Sequence, residues 1–374
     1  MFQYRRFNSE KTLFQKIRDL DYILLISILL LSSISLFVMY STDGGEILFH
    51  TKSHFIKLIV FFFMMIAIAF LNIKFWHIGA YFFYILITLL LIWVSFFGIS
   101  VSGSQRWLDL YLIALQPSEL MKIAIILCLA KYYHRLKVEN VNNFTSILIS
   151  LNIIIIPIIL VLSQPDLGTS ILIALSGIVI MWLGGVKIKY FFYSFLTFLI
   201  SLPFVISILK PYQKLRILTF LDPDRDPLGA GYQIIQSKIA IGSGGFYGKG
   251  FLKGTQSYLD FLPEKHTDFI FTLFSEEFGF LGSILLLVIY LIIIVRIVRI
   301  GVISRSSFAK LFCFGFAFAI FVYISVNLSM VLGLLPIVGS PLPIMSYGGS
   351  SMLATMIGFG IVMSAKIHYN QNIA

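Results

Sequence analysis

The sequence predicts an all-α polytopic membrane protein, and three observations carry this prediction. Hydrophobic residues make up 59% of the 374 residues, and the four charged types together only 12%. An average soluble chain has roughly 45–50% and about 25%, respectively. The apolar residues also fall into about ten runs, each near the roughly 20 residues that a helix needs to cross the hydrocarbon core. An ordinary soluble enzyme, a disordered chain and a disulfide-stapled secreted domain are thereby excluded.

The ten predicted spans share a length close to that of a membrane-crossing helix. They lie at 22–40, 54–73, 78–99, 116–134, 145–163, 169–186, 189–209, 268–295, 311–332 and 350–367. The stretch before Asp21 is polar and basic, and the apolar run after it is too long for a cleaved signal, so it is kept as an uncleaved first span. The whole chain, 1–374, is expected to form a single integral membrane domain.

Lysine and arginine residues set the predicted orientation, because in short loops they accumulate on the cytoplasmic side. With the N-terminus in the cytoplasm, the opposite short loops hold only Lys52, Lys57 and Arg106. Both ends are then cytoplasmic, as the tails 1–21 and 368–374. Residues 210–267 form one large extracytoplasmic loop.

The net charge of +11 could suggest a nucleic-acid partner. The basic residues mostly flank apolar segments instead of forming one face, which excludes nucleic acid as a partner. Cys128 and Cys313 both lie in apolar runs and are interpreted as buried thiols. The six histidines are scattered without metal-ligand spacing, and only His266 stands beside a candidate site.

Charged residues inside or at the mouth of a span are functional hypotheses by default, because burying them is costly. The first group follows the third span and opens the fourth. Its members are Arg106, Trp107, Gln116, Ser118, Glu119 and Lys122. Pro117 suits the first helical position, and Glu119 and Lys122 share a helix face. A polar site facing a cavity is favoured, and the alternative is a local ion pair that neutralises itself.

Two further groups occur at predicted helix starts. Asp166 lies in a tight turn before the sixth span, where it could also simply cap the helix. Asp268 opens the eighth span, and Asp268, Thr272 and Glu276 are spaced four apart, which predicts one polar stripe on an apolar helix. A capping role is the alternative for Asp268, but it leaves Glu276 unexplained.

Two glycine-containing segments were candidates for binding loops. Residues 242–250 lack the glycine and hydroxyl positions of a phosphate-binding loop and follow no strand, so they are interpreted as a turn-rich surface segment. Residues 339–351 are too broken for a helix but apolar and uncharged. Such irregular backbone at membrane depth needs protein or water around it, which predicts a re-entrant loop lining a cavity.

Taken together, these runs resemble the SEDS family (shape, elongation, division and sporulation) of polytopic peptidoglycan glycan polymerases. The matching blocks are Arg106-Trp107, 116–122, 164–169, Arg216 with Phe220, 226–233, 236–238, 263–271 and 334–351. Their order and placement over about two thirds of the chain are specific, and Ser104 stands where the family commonly has Ala. Residues 254–257 and 262–264 look more like the RodA, elongation branch than the FtsW, division branch. The resemblance implies the SEDS fold.

The resemblance also implies transfer of a lipid-diphosphate-linked glycan onto lipid II at the outer face of the cytoplasmic membrane. Its catalytic aspartate maps onto Asp268, which would act as general base on the acceptor hydroxyl, with cations stabilising the leaving diphosphate. A carboxylate at an apolar helix mouth is expected to have a raised pKa. The expected substrate-binding residues are Arg106, Trp107, Gln116, Ser118, Glu119, Lys122, Asp166, Lys238, His266, Thr267, Glu276, Ser346 and Ser350. Among them Arg106, Lys122 and Lys238 would compensate charge, and Glu119 would position Lys122.

The expected location is the bacterial inner membrane. Expected partners are lipid II, an undecaprenyl-diphosphate-linked glycan, a class B penicillin-binding protein supplying transpeptidation and membrane proteins of the elongation complex. A divalent cation, Mg²⁺ or Mn²⁺, at the lipid diphosphate is compatible with this chemistry, but the sequence names no ligands for it. The alternatives are a lipid II flippase or other transporter, a division polymerase, and a scaffold without chemistry.

Overall fold

The structure is a computed structural model that describes residues 11–101, 104–109, 114–208, 211–226, 229–255 and 264–373. Within these ranges thirteen α-helices follow one another along the chain. They are α1 (Leu13–Arg18), α2 (Tyr22–Thr42), α3 (Phe49–Phe70), α4 (Ile73–Phe97), α5 (Pro117–Arg135), α6 (Phe144–Ser163), α7 (Leu167–Leu183), α8 (Ile188–Ile208), α9 (Pro211–Leu221), α10 (Ala230–Ser243), α11 (Ile270–Ile303), α12 (Ser307–Val331) and α13 (Gly349–Ile367). Residues 1–10 of the predicted tail and Pro263 lie outside the described residues.

A helix occupies each of the ten predicted spans, namely α2 to α8 and α11 to α13. Within the described residues, seven of them are long and apolar enough to cross a membrane by length and composition. The other three are α5, α7 and α8. Helix α7 has only 17 residues, and α5 carries Glu119, Lys122 and Lys131, which lower its hydropathy. The prediction of an all-α polytopic membrane protein is confirmed for the spanning part.

Helix α5 forms the centre of the bundle. It packs against α4, α6, α7, α12 and α13, and its residues from Pro117 to Lys131 are all buried. The polar side chains of a helix that is buried on all sides need hydrogen-bond or ionic partners within the protein, because neither water nor lipid can supply them. This position explains why Glu119 and Lys122, two charged side chains of this span, are paired with each other.

A small antiparallel sheet between α4 and α5 was not predicted. Its strands are β1 (Ile99–Val101), β2 (Ser104–Asp109) and β3 (Ala114–Leu115), in the order β1-β2-β3. Ile99 pairs with Trp107, and Leu108 pairs with Leu115. The sheet holds Arg106 in the middle of β2, close to the start of α5.

The N-terminal helix α1 and the C-terminal end of α13 meet at the same end of the bundle. The Lys11 ammonium donates to the carbonyl of Ile367 at 2.6 Å, and Lys16 donates to the carbonyl of Phe70 at 2.9 Å. At the start of α2, Asp21 caps the helix and pairs with Arg296 at 2.5 Å.

Helix α11 is broken at Gly279, whose backbone lies at φ 66°, ψ −162°. The helical bonds from Phe280 and Leu281 to residues four earlier are replaced by bonds to the segment 245–250. Phe280 and Leu281 donate to the carbonyls of Gly245 and Phe246 at 2.9 and 3.1 Å. In return the carbonyls of Glu276 and Glu277 accept from Lys249 and Gly250, both at 3.0 Å. The glycine-containing segment is therefore a turn-rich element docked into a helix break.

Residues 332–348, between α12 and α13, are irregular, as predicted for the uncharged segment after Gly339. Several of their carbonyls accept hydrogen bonds from neighbouring helices. The Ser35 hydroxyl lies 3.0 Å from the carbonyl of Met345, and Tyr290 donates to the carbonyl of Pro343 at 2.6 Å. Non-helical backbone is tolerated here because it is surrounded by protein.

Candidate functional site

Arg106, Gln116 and Asp166 meet although they come from β2, the start of α5 and the turn before α7. The Arg106 guanidinium and the Gln116 amide both donate to Asp166 Oδ2 at 3.1 Å. Asp166 Oδ1 accepts the backbone N–H of Thr169 at 3.1 Å, so Asp166 also caps α7. The capping interpretation of Asp166 is thus confirmed on one carboxylate oxygen, and the other oxygen joins Asp166 to Arg106 and Gln116; its substrate-binding role stays a prediction.

Glu119 and Lys122 form a closed pair in the first turns of α5. The Lys122 ammonium donates to Glu119 Oε1 at 2.7 Å, and the two side chains are only 3% and 5% exposed. Tyr323 of α12 donates to the second carboxylate oxygen at 3.1 Å, and its ring centre lies 4.1 Å from the ammonium. The geometry is that of the self-neutralising ion pair and leaves Lys122 little room for another anion.

Asp268 lies in a turn, 264–269, that leads into α11. The helix begins at Ile270, two residues later than Asp268, and its N-cap residue is Phe269. Asp268 is therefore not the capping residue, and the alternative interpretation of this side chain is wrong. The predicted polar stripe begins at Thr272.

The backbone of this turn is held by side chains from two distant segments. Asn327 of α12 donates to the carbonyl of Asp268 at 2.8 Å and to that of Ser340 at 2.8 Å. The Ser346 hydroxyl donates to the carbonyl of Thr267 at 2.6 Å, and the Tyr347 N–H donates to the carbonyl of His266 at 2.8 Å. These bonds fix the direction in which the Asp268 side chain leaves the backbone.

The Asp268 carboxylate accepts no hydrogen bond from any residue that the structure describes, although protein atoms surround it on most sides. Burial raises the pKa of this carboxyl from 3.8 to about 7, and the nearby Glu264 adds to the rise. The Arg106 guanidinium opposes it, whereas Glu119 and Asp166 raise the pKa further. Four charged groups thus act on one carboxyl, which titrates near neutral pH and is suited to accept a proton.

Of three other predicted residues, Ser350 and Trp107 have structural partners. The Ser350 hydroxyl accepts the Gln116 N–H at 2.8 Å and donates to the carbonyl of Ala114 at 3.0 Å, which joins α13 to the start of α5. Trp107 faces Ile99 across the small sheet. Ser118 is buried, and its hydroxyl has no hydrogen-bond partner within the described part of the chain.

Glu276 and Lys238 lie against other surroundings. Glu276 is fully buried and accepts from Lys249 Nζ at 2.6 Å and from the Thr255 N–H at 3.0 Å, so it anchors the segment 249–255 to α11. Lys238 is exposed on α10, and its side chain lies beside Gly333, in the space that a Cβ there would occupy. The polar stripe is thus turned towards 249–255 and α10, where Thr272 meets Ser237 at 2.9 Å. The substrate-binding roles of these residues stay predictions.

Sequence reasoning missed Asn327 and Tyr323, which support Asp268 and Glu119. Each is a polar side chain inside an otherwise apolar span, the same signal that selected Glu119. Only charged residues were selected by this signal, so the Asn327 amide and the Tyr323 phenol of α12 were not predicted.

Comparisons with known proteins agree with this fold. Residues 17–371 match the family model of FtsW, RodA and SpoVE, described as cell cycle proteins. The peptidoglycan glycosyltransferase MrdB of Escherichia coli K12 is 41% identical over 362 residues, covering 96% of both chains. A solved chain from a study of how a peptidoglycan synthase complex coordinates polymerization and crosslinking superposes with a TM-score of 0.81 at 28% identity, covering 94% of this chain and 99% of that one. The rod shape determining protein RodA of Thermus thermophilus shares the fold, with a TM-score of 0.71 at 23% identity, covering 94% and 98%.

Proposed function

Because the chain belongs to the FtsW, RodA and SpoVE family of cell cycle proteins, we propose that it polymerises glycan strands from lipid II for cell-wall elongation. The predicted resemblance to the SEDS family is confirmed by these matches. The chain is a multi-pass membrane protein and a peptidoglycan glycosyltransferase of the elongation branch.

The observation that carries this proposal is the Asp268 carboxyl. It has no hydrogen-bond partner among the described residues, and the nearby Arg106 guanidinium favours its charged form. In the proposed step Asp268 removes the proton of the acceptor hydroxyl on lipid II. The acceptor oxygen attacks the anomeric carbon of the growing strand, and the bond from that carbon to the lipid diphosphate breaks with inversion. The proton stays on Asp268 until solvent removes it.

The leaving diphosphate needs cationic stabilisation. Arg106 is 28% exposed and holds Asp166 through one nitrogen only, so it can take a second anion. Lys238 is exposed on α10, and its side chain lies beside Gly333. Lys122 is enclosed by Glu119 and Tyr323, which supports a role in holding α5 and α12 together. We assign the diphosphate to Arg106 and Lys238.

A divalent cation, Mg²⁺ or Mn²⁺, at the diphosphate belongs to the same proposal. Such a cation is held mainly by phosphate oxygens and one or two carboxylates, and Asp166 and Glu264 are the nearby candidates. The test is a titration of Mg²⁺ or Mn²⁺ into chelator-treated enzyme. A polymerisation rate that is the same in chelator would contradict this part.

Both termini are proposed to be cytoplasmic. The meeting of α1 with the end of α13 supports placing the two ends on one side, and the basic short loops support the cytoplasmic side. A reporter fused after Ala374 that is active only outside the cytoplasm would contradict this orientation.

We also propose that a single-span class B penicillin-binding protein and other elongation-complex membrane proteins bind this chain. The fold it shares with a chain of a solved peptidoglycan synthase complex supports such a partner. Copurification from bacterial membranes should recover a membrane-anchored transpeptidase, and its absence would contradict the assignment.

The decisive experiment measures glycan polymer made from purified lipid II by this chain and its transpeptidase, in the presence of moenomycin. Asp268→Asn should lower the rate by about 10²–10⁴-fold, the range expected for loss of a general base. Asp224→Asn, an exposed loop aspartate, is the matched control and should polymerise normally. Wild-type rates for Asp268→Asn would overturn the base assignment, and movement of labelled lipid II between leaflets without polymer would identify a flippase.

A further inference from the structure

Three side chains that are far apart in sequence converge beside the turn that carries Asp268. Asp43 ends α2, His50 lies in the first turn of α3, and His266 precedes Asp268 by two residues. One potential ligand atom from each lies within 4.8 Å of the other two. Asp43 Oδ1 is 3.5 Å from His50 Nδ1 and 3.9 Å from His266 Nε2. The fold thus assembles a cluster that the sequence spacing of the histidines did not predict.

From this geometry we infer that Asp43, His50 and His266 form a binding site for a zinc ion. The inference concerns a site outside the proposed polymerase step and does not depend on that step.

The carboxylate of this cluster is held in one orientation. Asp43 Oδ2 accepts the backbone N–H of Thr51 at 2.9 Å and the Thr51 hydroxyl at 2.7 Å. These two bonds use one oxygen and leave Oδ1 directed at the two imidazoles. Hydrogen bonds that orient a ligating carboxylate in this way are typical of metal sites.

The burial of Asp43 requires compensation for its charge. The side chain is only 3% exposed, and a buried carboxylate is stable only with a cationic partner or several donors. Within the described ranges, the groups capable of positive charge within 4.0 Å of it are the two imidazoles. A divalent cation between the three groups supplies that charge without protonating either ring.

The two imidazole rings stack with centroids 4.1 Å apart and planes 13° from parallel. Two imidazolium rings in this arrangement would repel, whereas two neutral rings can both ligate one ion once one ring turns so that both in-plane nitrogen lone pairs point at it. The side chain of His266 is 15% exposed and that of His50 is 40% exposed. The His50 edge therefore gives an ion access from solvent.

The ligand types select the metal. Two imidazoles and one carboxylate suit Zn²⁺, with water in a fourth position, whereas Mg²⁺ prefers oxygen ligands throughout. Zinc-ligand distances of about 2.0–2.2 Å in a tetrahedron place ligand atoms about 3.3 Å apart. The observed 3.5 and 3.9 Å exceed this separation by under about 1 Å. The two imidazole nitrogens lie within 4.8 Å of each other, so all three side chains must close in on the ion.

A bound ion would join the α2–α3 connection to the turn 264–269. Tyr347 strengthens this junction, because it donates to the His266 carbonyl and its ring contacts His50 at 5.2 Å between centroids. Zinc should therefore raise the unfolding temperature of the whole protein and protect the turn from hydrogen exchange.

The test uses the full chain, purified in detergent with a tag that contains no histidine and stripped with chelator. Zinc binding is measured by calorimetry and elemental analysis, and Co²⁺ substitution reports coordination by its visible spectrum. Wild type should bind one zinc ion per chain, and Mg²⁺ should not compete. Asp43→Asn, which keeps an acceptor for Thr51, and His50→Gln should each weaken zinc binding by about 10–100-fold.

Glu46→Gln is the matched control, because Glu46 is an exposed acidic residue of the same connection and should bind zinc like wild type. Zinc should also raise the unfolding temperature of wild type and Glu46→Gln but not of His50→Gln. The His50 variant decides the matter if the Asp43 variant does not fold, because the side chain of His50 is 40% exposed whereas that of Asp43 is 3% exposed. Equal zinc affinity in wild type and His50→Gln, or no stoichiometric zinc in wild type, would overturn the inference.

Discussion

Glu119 and Lys122 pair at 2.7 Å inside the most enclosed helix of the bundle. Removing one member leaves the other as an uncompensated buried charge, which costs about 3–5 kcal/mol. Lys122→Met and Glu119→Gln should each lower the unfolding temperature strongly, and the double variant should lose less than the sum of the two. Thermal unfolding in detergent measures this double-mutant cycle.

The exposed Lys187→Met is the control for that cycle and should change stability by under about 0.5 kcal/mol. Additive losses in the double variant would contradict the closed pair.

The contact between Arg106 and Asp166 predicts a graded loss of activity. Arg106→Ala removes both the partner of Asp166 and the cation assigned to the diphosphate, so the polymerisation rate should fall by about 10²-fold or more. Arg106→Lys keeps the charge but loses the planar donor fork, so its polymerisation rate should lie between those of wild type and Arg106→Ala. Arg225→Ala, at an exposed pair with Asp222, is the control. If the rate of Arg106→Lys equals that of Arg106→Ala, the predicted contribution of the positive charge is contradicted.

The raised pKa of Asp268 predicts the pH dependence of polymerisation. Only the carboxylate can accept a proton, so the rate should rise with pH, reach half its maximum at a midpoint of about 7 and level off above it. Below that midpoint it should fall by about tenfold per pH unit. Glu264→Gln removes a negative neighbour that raises this pKa, so its midpoint should move to lower pH. Initial rates at saturating lipid II measure both profiles, and a midpoint near the ordinary aspartate value would contradict the assignment.

The break in α11 predicts a strong requirement for glycine. A Cβ on Gly279 would lie 2.3 Å from the Gly248 nitrogen, and the residue has φ +66°. Gly279→Ala should therefore lose at least about 1–3 kcal/mol and expose 245–255 to protease. Gly242→Ala is the control, because a Cβ there meets nothing within 4 Å and the position is helical. Equal protease sensitivity of the two variants would contradict the docking of this segment.

The sequence predicted the positions of the ten helices well, because the length of an apolar run is set by the membrane and needs no knowledge of partners. It also predicted local geometry at helix starts, where Pro117 takes the first helical position and Asp166 accepts from Thr169. The pairing of Glu119 with Lys122 followed from helix periodicity alone.

Features that depend on distant contacts could not be predicted. The run around Gly279 is apolar on both sides, so nothing in it indicates a break until 245–250 is seen beside it. The stripe from Thr272 to Glu276 was found, but the pattern does not say what faces it. Asn327 reaches Asp268 only through the packing of α12 against α11, and His50 meets His266 only through the folded bundle.

The break at Gly279 also bears on the order of biogenesis. Before 245–250 docks, four backbone groups of α11 lack their final partners: the N–H groups of Phe280 and Leu281 and the carbonyls of Glu276 and Glu277. Inside a membrane these groups can bond only to one another, as in a continuous helix. The docking segment leaves the ribosome before α11 and must wait for it outside the membrane. Insertion of α11 as a straight span is therefore expected first, and the bent form follows when 245–250 docks.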